Sequence, residues 1–86
     1  MHKDIEYTVD ATGIASGYLK TFDEASIKAM QLALAYGEAT IDVLVYSEEG
    51  AAAYGGDDAV ERYREDPDAS VFERIVVNAK ILGRIP

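Results

Sequence analysis

The chain has 86 residues, no cysteine and a formal net charge of −8. This length gives one domain, spanning residues 1–86, with a modest core, and the lack of cysteine excludes disulfides, a thiolate nucleophile and a cysteine-based zinc site. The acidic balance disfavours direct nucleic-acid binding, and the absence of a long apolar run or a signal-peptide pattern leads us to expect a cytoplasmic protein without membrane contact.

The first predicted element is a β-hairpin. Residues 4–10 alternate between apolar and polar, with Ile5, Tyr7 and Val9 on one face, which is typical of a half-buried strand. Gly13 is suited to the turn, and residues 14–20 are predicted to form the return strand. Gly17 inside that strand indicates a bulge or a close backbone contact.

A long helix is predicted next, over residues 22–36. Thr21 and Glu24 match a capping box, in which each side chain accepts from a free backbone N–H, and Gly37 is suited to end the helix. At helical spacing one apolar stripe is expected to face the core. It consists of Phe22, Ala25, Ala29, Leu32, Ala33 and Tyr36.

Three further apolar residues widen this arc on one side: Ile27, Met30 and Leu34. So wide an arc predicts one of two arrangements. Either the helix lies between two other elements, which is the arrangement we expect, or these three residues form a self-association surface.

The second half of the chain is predicted to return to the sheet. Residues 40–46 are rich in β-branched side chains and apolar on both faces, which is typical of a central strand. We expect a tight turn at 47–50, a short return strand at 51–54 and a long last strand at 71–82 with a bend or bulge.

The acidic stretch 54–70 contains two glycines and six carboxylates. Asp57 and Asp58 stand where a phosphate would have to bind, and no calcium-loop spacing is present, so we predict neither an anion site nor a metal site. The pattern instead predicts a glycine turn, a cap by Asp57 or Asp58 and a short helix over 59–65. Val60 and Tyr63 would face the sheet, and Pro67 would stop the helix.

Together these elements predict an α+β fold. We expect a two-layer domain in which a mainly antiparallel sheet of four to five strands carries one long and one short helix on one face. The predicted order is ββαββαβ.

The sequence predicts no enzyme and no cofactor. The single histidine, His2, lies at the second position of the chain, where residues are usually frayed, and no serine has another histidine to activate it. No carboxylate pair stands in a pattern that marks one of its members as buried with a raised pKa.

Charge suggests a binding function instead. Between Glu38 and Glu73 there are eleven acidic residues and two arginines, so a basic partner is favoured, for example a nucleic-acid-handling protein. The predicted partner-binding residues are Glu48, Glu49, Tyr54, Asp57, Asp58, Glu61, Glu65, Asp66 and Asp68. In size, charge and lack of cysteine the chain resembles phage-encoded inhibitors of bacterial defence, such as anti-CRISPR and anti-restriction proteins; no motif carries this resemblance.

Two alternatives stay open at this point. The first is a structural domain that self-associates as a homodimer, either through a strand edge or through Ile27, Met30 and Leu34. The second is that the acids do nothing more than keep a small domain soluble.

Overall fold

A computed structural model describes residues 3–68 and 71–78. Its elements are β1 (Ile5–Ala11), β2 (Ile14–Ala15), α1 (Phe22–Tyr36), β3 (Glu38–Val45), α2 (Glu48–Glu65) and β4 (Glu73–Asn78). The four strands form one antiparallel sheet in the order β2-β1-β3-β4. The predicted α+β class is confirmed, and the order differs from ββαββαβ only where residues 51–54 are helical.

The core lies between one face of the sheet and the two helices. Alternate residues of β1 and β3 are buried, and their pairing places Tyr7 beside Val43 and Val9 beside Ile41. Buried alanines of both helices belong to the same core cluster. Both helices therefore cover the same face, and the opposite face of the sheet carries the polar residues of the alternating pattern.

The first hairpin contains the bulge that Gly17 indicated. Gly13 has a φ of +79° in the turn, and β2 pairs with β1 over only two residues. Tyr7 pairs with Leu19, and the register of this pair is shifted by one residue relative to the pairs between β1 and β2. At the bulge, Ser16 Oγ accepts a hydrogen bond of 2.8 Å from the Val9 N–H. The return strand is thus shorter than predicted, and at the bulge this hydroxyl, rather than a backbone carbonyl, accepts from Val9.

Helix α1 occupies the predicted residues. Thr21 Oγ1 accepts from the Glu24 N–H at 3.1 Å, and the Gly37 N–H donates to the Ala33 carbonyl at 2.7 Å. The Glu24 carboxylate accepts from the Thr21 hydroxyl rather than from a backbone N–H. The residues of the predicted core stripe that are buried are Ala25, Ala29, Leu32 and Ala33.

The expectation that α1 lies between two elements is wrong. Ile27, Met30 and Leu34 are 57%, 45% and 67% exposed, and Phe22 and Tyr36 at the two ends are also exposed. Apart from Phe22, whose ring packs edge-to-face on Tyr7, the residues that face the sheet are three alanines and Leu32. The backbone of α1 therefore lies close to the strands, and Ile27, Met30 and Leu34 are left on the outer side.

The predicted turn at 47–50 and the predicted strand at 51–54 are also wrong. Ser47 is an N-cap whose Oγ accepts from the Gly50 N–H at 3.0 Å, and α2 begins at Glu48. Three consecutive alanines follow, and alanine has the highest helix propensity. Gly50 lies so close to Asp4, the residue before β1, that an added Cβ would be 2.8 Å from the Asp4 carbonyl oxygen.

Two glycines divide α2 into an earlier part, residues 48–54, and a later part, residues 57–65. Gly55 and Gly56 have non-helical backbone angles, with a φ of +73° at Gly56. Within the described residues neither Asp57 nor Asp58 accepts a capping hydrogen bond, in contrast to the prediction. The helix ends at Glu65, two residues before Pro67, as expected.

Strand β4 lies at one edge of the sheet and pairs with β3. Ile75 and Val77 point towards the helices, whereas Arg74 lies on the open face and makes two hydrogen bonds to the buried Asp42. Residues 79–82 of the predicted long strand lie outside the described residues, as does His2.

Candidate partner-binding surface

The later part of α2 presents acids on its outer side. Ala59 is buried, and Val60 and Tyr63 pack against the core as predicted. At about 100° per residue, the opposite side of this part of the helix carries four exposed acids. We call this surface the acidic ridge; it consists of Asp57, Asp58, Glu61 and Glu65.

Both arginines of α2 are bound to acids that do not belong to the ridge. Arg62 lies 3.2 Å from the Glu73 carboxylate and donates to the Phe72 carbonyl, and its guanidinium lies 4.6 Å from the centre of the Phe72 ring. Arg64 lies 2.7 Å from Glu48 of the earlier part of the helix. Exposed ion pairs of this kind add little stability, but here they hold both cations at the flanks of the ridge.

The ridge itself is free of ion pairs. Across residues 3–68 and 71–78, none of its four carboxylates lies within ion-pair distance of a lysine or an arginine. With a rise of about 1.5 Å per residue, residues 57 and 65 are separated by about 12 Å along the helix. Four charges over this length correspond to about one per 4 Å, close to the spacing of about 3.4 Å per phosphate along one DNA strand.

The remaining predicted acids extend the charged surface at both ends of α2. Glu48 and Glu49 stand in the first turn, where negative charge interacts favourably with the helix dipole, and Asp66 and Asp68 follow the last turn. All four are exposed. One helix and the residues after it therefore contain every acid that the sequence assigned to partner binding.

Tyr54 has a structural position that its assignment to partner binding did not anticipate. Its ring packs edge-to-face on Phe72 at 5.9 Å, and its hydroxyl donates a short hydrogen bond to Glu73. Burial and this hydrogen bond raise the pKa of Tyr54, and the same hydrogen bond together with Arg62 lowers the pKa of Glu73. Tyr54 thus connects α2 to β4.

The outer side of α1 carries the residues predicted for self-association. Ile27, Met30 and Leu34 recur at the spacing that places them on one side of a helix. We call this surface the apolar stripe; each of its side chains is about half exposed or more.

The open face of the sheet holds a polar cluster that the sequence did not reveal. The Glu6 carboxylate accepts from Lys20 at 2.5 Å and from the Tyr46 hydroxyl at 3.0 Å, and these contacts lower its pKa. Burial and the hydrogen bond to Glu6 raise the pKa of Tyr46 to about 12. The alternation of apolar and polar residues in β1 predicts Glu6 on this face. The contacts of Glu6 with Lys20 and Tyr46 depend on how the strands pair, which the sequence alone does not show.

The structure also contains a pocket that sequence reasoning missed. It lies between the start of α1, the earlier part of α2 and the strands β1 and β4, and its volume is about 350 Å³. Its lining residues are Ile5, Tyr7, Phe22, Ala53, Tyr54 and Ile75. Four separate elements contribute these residues, so no local motif could indicate the pocket.

Two other kinds of feature are absent from the described part of the chain. There is no group of three or more potential metal ligands among these residues, and none of their helices is long and apolar enough to cross a membrane. Comparisons with protein-family models, curated proteins and solved structures gave no significant match. The candidate function therefore rests on the surfaces of this chain.

Proposed function

We propose that the protein is a non-enzymatic binding domain that uses the acidic ridge to dock on a basic surface of a partner protein. The observation that carries this proposal is the arrangement of α2, in which four unpaired carboxylates share one side while both arginines are bound to other acids. Complementary charge of this kind accelerates encounter and selects for basic partners.

The preferred partner is a nucleic-acid-handling protein, and the proposed effect is inhibition. A charge spacing close to that of a nucleic-acid strand lets the ridge occupy a groove that otherwise binds phosphates. The ridge is carried by a helix, which presents its charges with little loss of conformational freedom on binding. The domain would act by occlusion, as an inhibitor of the type that phages direct against bacterial defence.

A pull-down from host lysate tests this proposal. Immobilised wild-type protein is compared with Glu61→Lys/Glu65→Lys and with Asp23→Lys/Glu38→Lys, a control that changes the net charge equally outside the ridge. We expect a basic nucleic-acid-binding protein on the wild type and the control at low salt. It should be absent from the ridge variant, released at about 0.5 M salt and displaced by added DNA.

Two results would count against the proposal. Equal loss of the partner in both variants would mean that total charge, not the ridge, governs binding. Full retention in both variants would mean that the acids only keep the domain soluble.

A second candidate is self-association through the apolar stripe. Three large apolar side chains exposed on one side of a helix mark an interaction surface more often than isolated ones do. Sedimentation of wild type, Leu34→Glu and the control Gln31→Glu would test it. We expect a dimer of wild type and control that is insensitive to salt, and a monomer for Leu34→Glu; a monomeric wild type at all concentrations contradicts this candidate.

A further inference from the structure

The pocket between the helices has an uncharged lining. All six of its lining residues are neutral, and three of them, Tyr7, Phe22 and Tyr54, are aromatic. A charged ligand would lose its hydration without gaining a charged partner, so the lining selects neutral molecules. The volume of about 350 Å³ is roughly twice the volume of about 150 Å³ that holds benzene in an apolar protein cavity, so a substituted aromatic ring fits.

One lining residue carries a hydroxyl group that is not paired. Tyr7 is only 6% exposed, and its backbone N–H and carbonyl both bond to Leu19. Across residues 3–68 and 71–78, however, its hydroxyl makes no hydrogen bond. Polar groups of buried residues usually have a hydrogen-bond partner, so this unpaired hydroxyl points to a partner that the described chain does not supply.

The Tyr7 hydroxyl borders the pocket. Fully enclosed side-chain oxygen and nitrogen atoms of the buried and half-buried residues in the described ranges all have hydrogen-bond partners, so this unpaired oxygen must be in contact with accessible space. Tyr7 lines the pocket, and its phenol is near enough to that of Tyr54 to contribute to the raised pKa of Tyr54. Two phenol groups therefore lie at the same cavity.

Tyr7 is the hydrogen-bond donor of this pocket. Tyr54 already donates its hydroxyl hydrogen to Glu73, and the other lining side chains have no polar hydrogen. Burial raises the pKa of Tyr7, which keeps its hydroxyl protonated. A single free donor in an apolar cavity selects a ligand with an acceptor oxygen at one point and apolar surface elsewhere.

Two lining residues leave the pocket accessible from solvent. Phe22 at the start of α1 is 45% exposed, although helical spacing predicted it in the core stripe, and Ala53 in the earlier part of α2 is exposed as well. A ligand that enters beside them would cover apolar surface on both helices.

We propose that this pocket binds a small neutral aromatic molecule whose carbonyl oxygen accepts a hydrogen bond from the Tyr7 hydroxyl. The planes of the Tyr7 and Phe22 rings meet at 66°, so a ligand ring that stacks on one of them meets the other edge-to-face, and both are arrangements that aromatic pairs prefer. The inference goes beyond the proposed function and does not depend on the acidic ridge, which lies on the later part of α2.

Titration with two matched probes, followed through the ring resonances in NMR spectra, tests the pocket. Acetophenone has the carbonyl, and α-methylstyrene has the same shape with a CH₂ group in place of the carbonyl oxygen. We expect both probes to give saturable shifts of the Tyr7, Phe22 and Tyr54 signals. In Tyr7→Phe the affinity for acetophenone should fall about five-fold, whereas the affinity for α-methylstyrene should not fall.

Ala53→Leu and Ala52→Leu test whether the probes occupy this pocket. Both substitutions add the same side chain to exposed positions of α2, but only Ala53 lines the pocket. Ala53→Leu should weaken the binding of both probes, and Ala52→Leu should bind them as the wild type does.

Urea denaturation without probe tests whether the Tyr7 hydroxyl is free. Tyr7→Phe should not lower the midpoint, whereas Tyr54→Phe should lower it because the hydrogen bond to Glu73 is lost. Four results would overturn the inference: ring signals that do not shift, equal loss of both probes in Tyr7→Phe, equal binding by the two leucine variants, or a midpoint that falls as far in Tyr7→Phe as in Tyr54→Phe.

Discussion

The two helices cover the same face of the sheet but are attached to it by different means. Helix α1 is held by burial of Ala25, Ala29, Leu32 and Ala33. The buried residues of helix α2 are small, namely Gly50, Ala51 and Ala59, and the helix is also attached by polar contacts. Ser47 donates to Asp4 at 2.8 Å, and Tyr54 and Arg62 both bind Glu73. Their outer sides differ as well, since α1 exposes the apolar stripe and α2 exposes the acidic ridge.

This difference separates two kinds of interaction within one small domain. Contacts made by the apolar stripe would be governed by buried area and would respond little to salt. Contacts made by the acidic ridge would weaken as salt screens the charges. Substitutions on the outer side of one helix should therefore leave the interactions of the other helix unchanged.

The largest effect on stability is expected where α2 meets Asp4, the residue before β1. In Gly50→Ala the new methyl group would lie 2.8 Å from the Asp4 carbonyl oxygen, a backbone atom that has little room to move. We expect the free energy of unfolding to fall by about 2 kcal/mol. Urea denaturation measures this loss, and Ala52→Gln on the exposed side of α2 is the control, with an expected change below about 0.5 kcal/mol. A loss for Gly50→Ala as small as that of the control would show that the close approach can relax.

The N-terminal caps of the two helices provide a matched pair of substitutions. Thr21→Ala removes one capping hydrogen bond and should cost about 1 kcal/mol. Ser47→Ala removes a capping hydrogen bond and also the hydrogen bond to Asp4, so we expect a larger cost of about 1.5 kcal/mol. Urea denaturation of both variants measures the difference. A larger loss of unfolding free energy for Thr21→Ala than for Ser47→Ala would contradict the view that α2 depends more on polar contacts than α1 does.

The attachment of α2 should weaken in acid. The pKa of Glu73 is lowered in the folded protein, so its contribution to stability is complete above its ordinary pKa and is lost as the pH falls through the lowered value. Amide exchange compared at about pH 6 and about pH 3 should show that α2 loses more protection than α1. Tyr54→Phe removes the hydrogen bond that contributes most to the lowered pKa, so it should make this loss smaller. Equal loss in the two helices would contradict the prediction.

The smallest effect on stability is expected at the flank of the ridge. Arg64→Gln removes an exposed ion pair with Glu48, which should change the free energy of unfolding by less than about 0.5 kcal/mol. The same change makes the surface more negative, so affinity for a basic partner should rise. Binding and unfolding measured on the same sample would show whether the two properties separate; a fall in affinity would mean that Arg64 itself contacts the partner.

The sequence correctly predicted the elements for which several nearby residues all indicate the same secondary structure. Helix α1 has a cap, an apolar period and a terminal glycine that all agree, and β3 has β-branched residues on both faces. The start of α2 was missed because Ser47 and Gly50 also fit a turn, and because the alanines after them lack the apolar period that marks a helix. Only the close contact between Gly50 and Asp4 shows why a glycine is needed there.

The candidate site was predictable only in part. The acids of α2 were named from composition, and the sequence placed those from Asp57 to Asp68 on or beside a short helix but assigned Glu48 and Glu49 to a turn. The exposure of the apolar stripe depends on how close α1 lies to the sheet, and the aromatic pocket depends on four elements meeting. Neither the pairing of Arg62 with Glu73 nor that of Arg64 with Glu48 follows from spacing along the chain.

We propose that the acidic ridge, rather than the total charge of the protein, binds basic surfaces. The most direct test is calorimetric titration of a lysine decapeptide into wild type, Glu61→Lys/Glu65→Lys and Asp23→Lys/Glu38→Lys over a series of salt concentrations. We predict that the wild type and the second variant bind with affinities that fall steeply with salt, and that the ridge variant binds at least about ten-fold more weakly at low salt. Equal weakening of the two variants, whose net charges are the same, would contradict the claim.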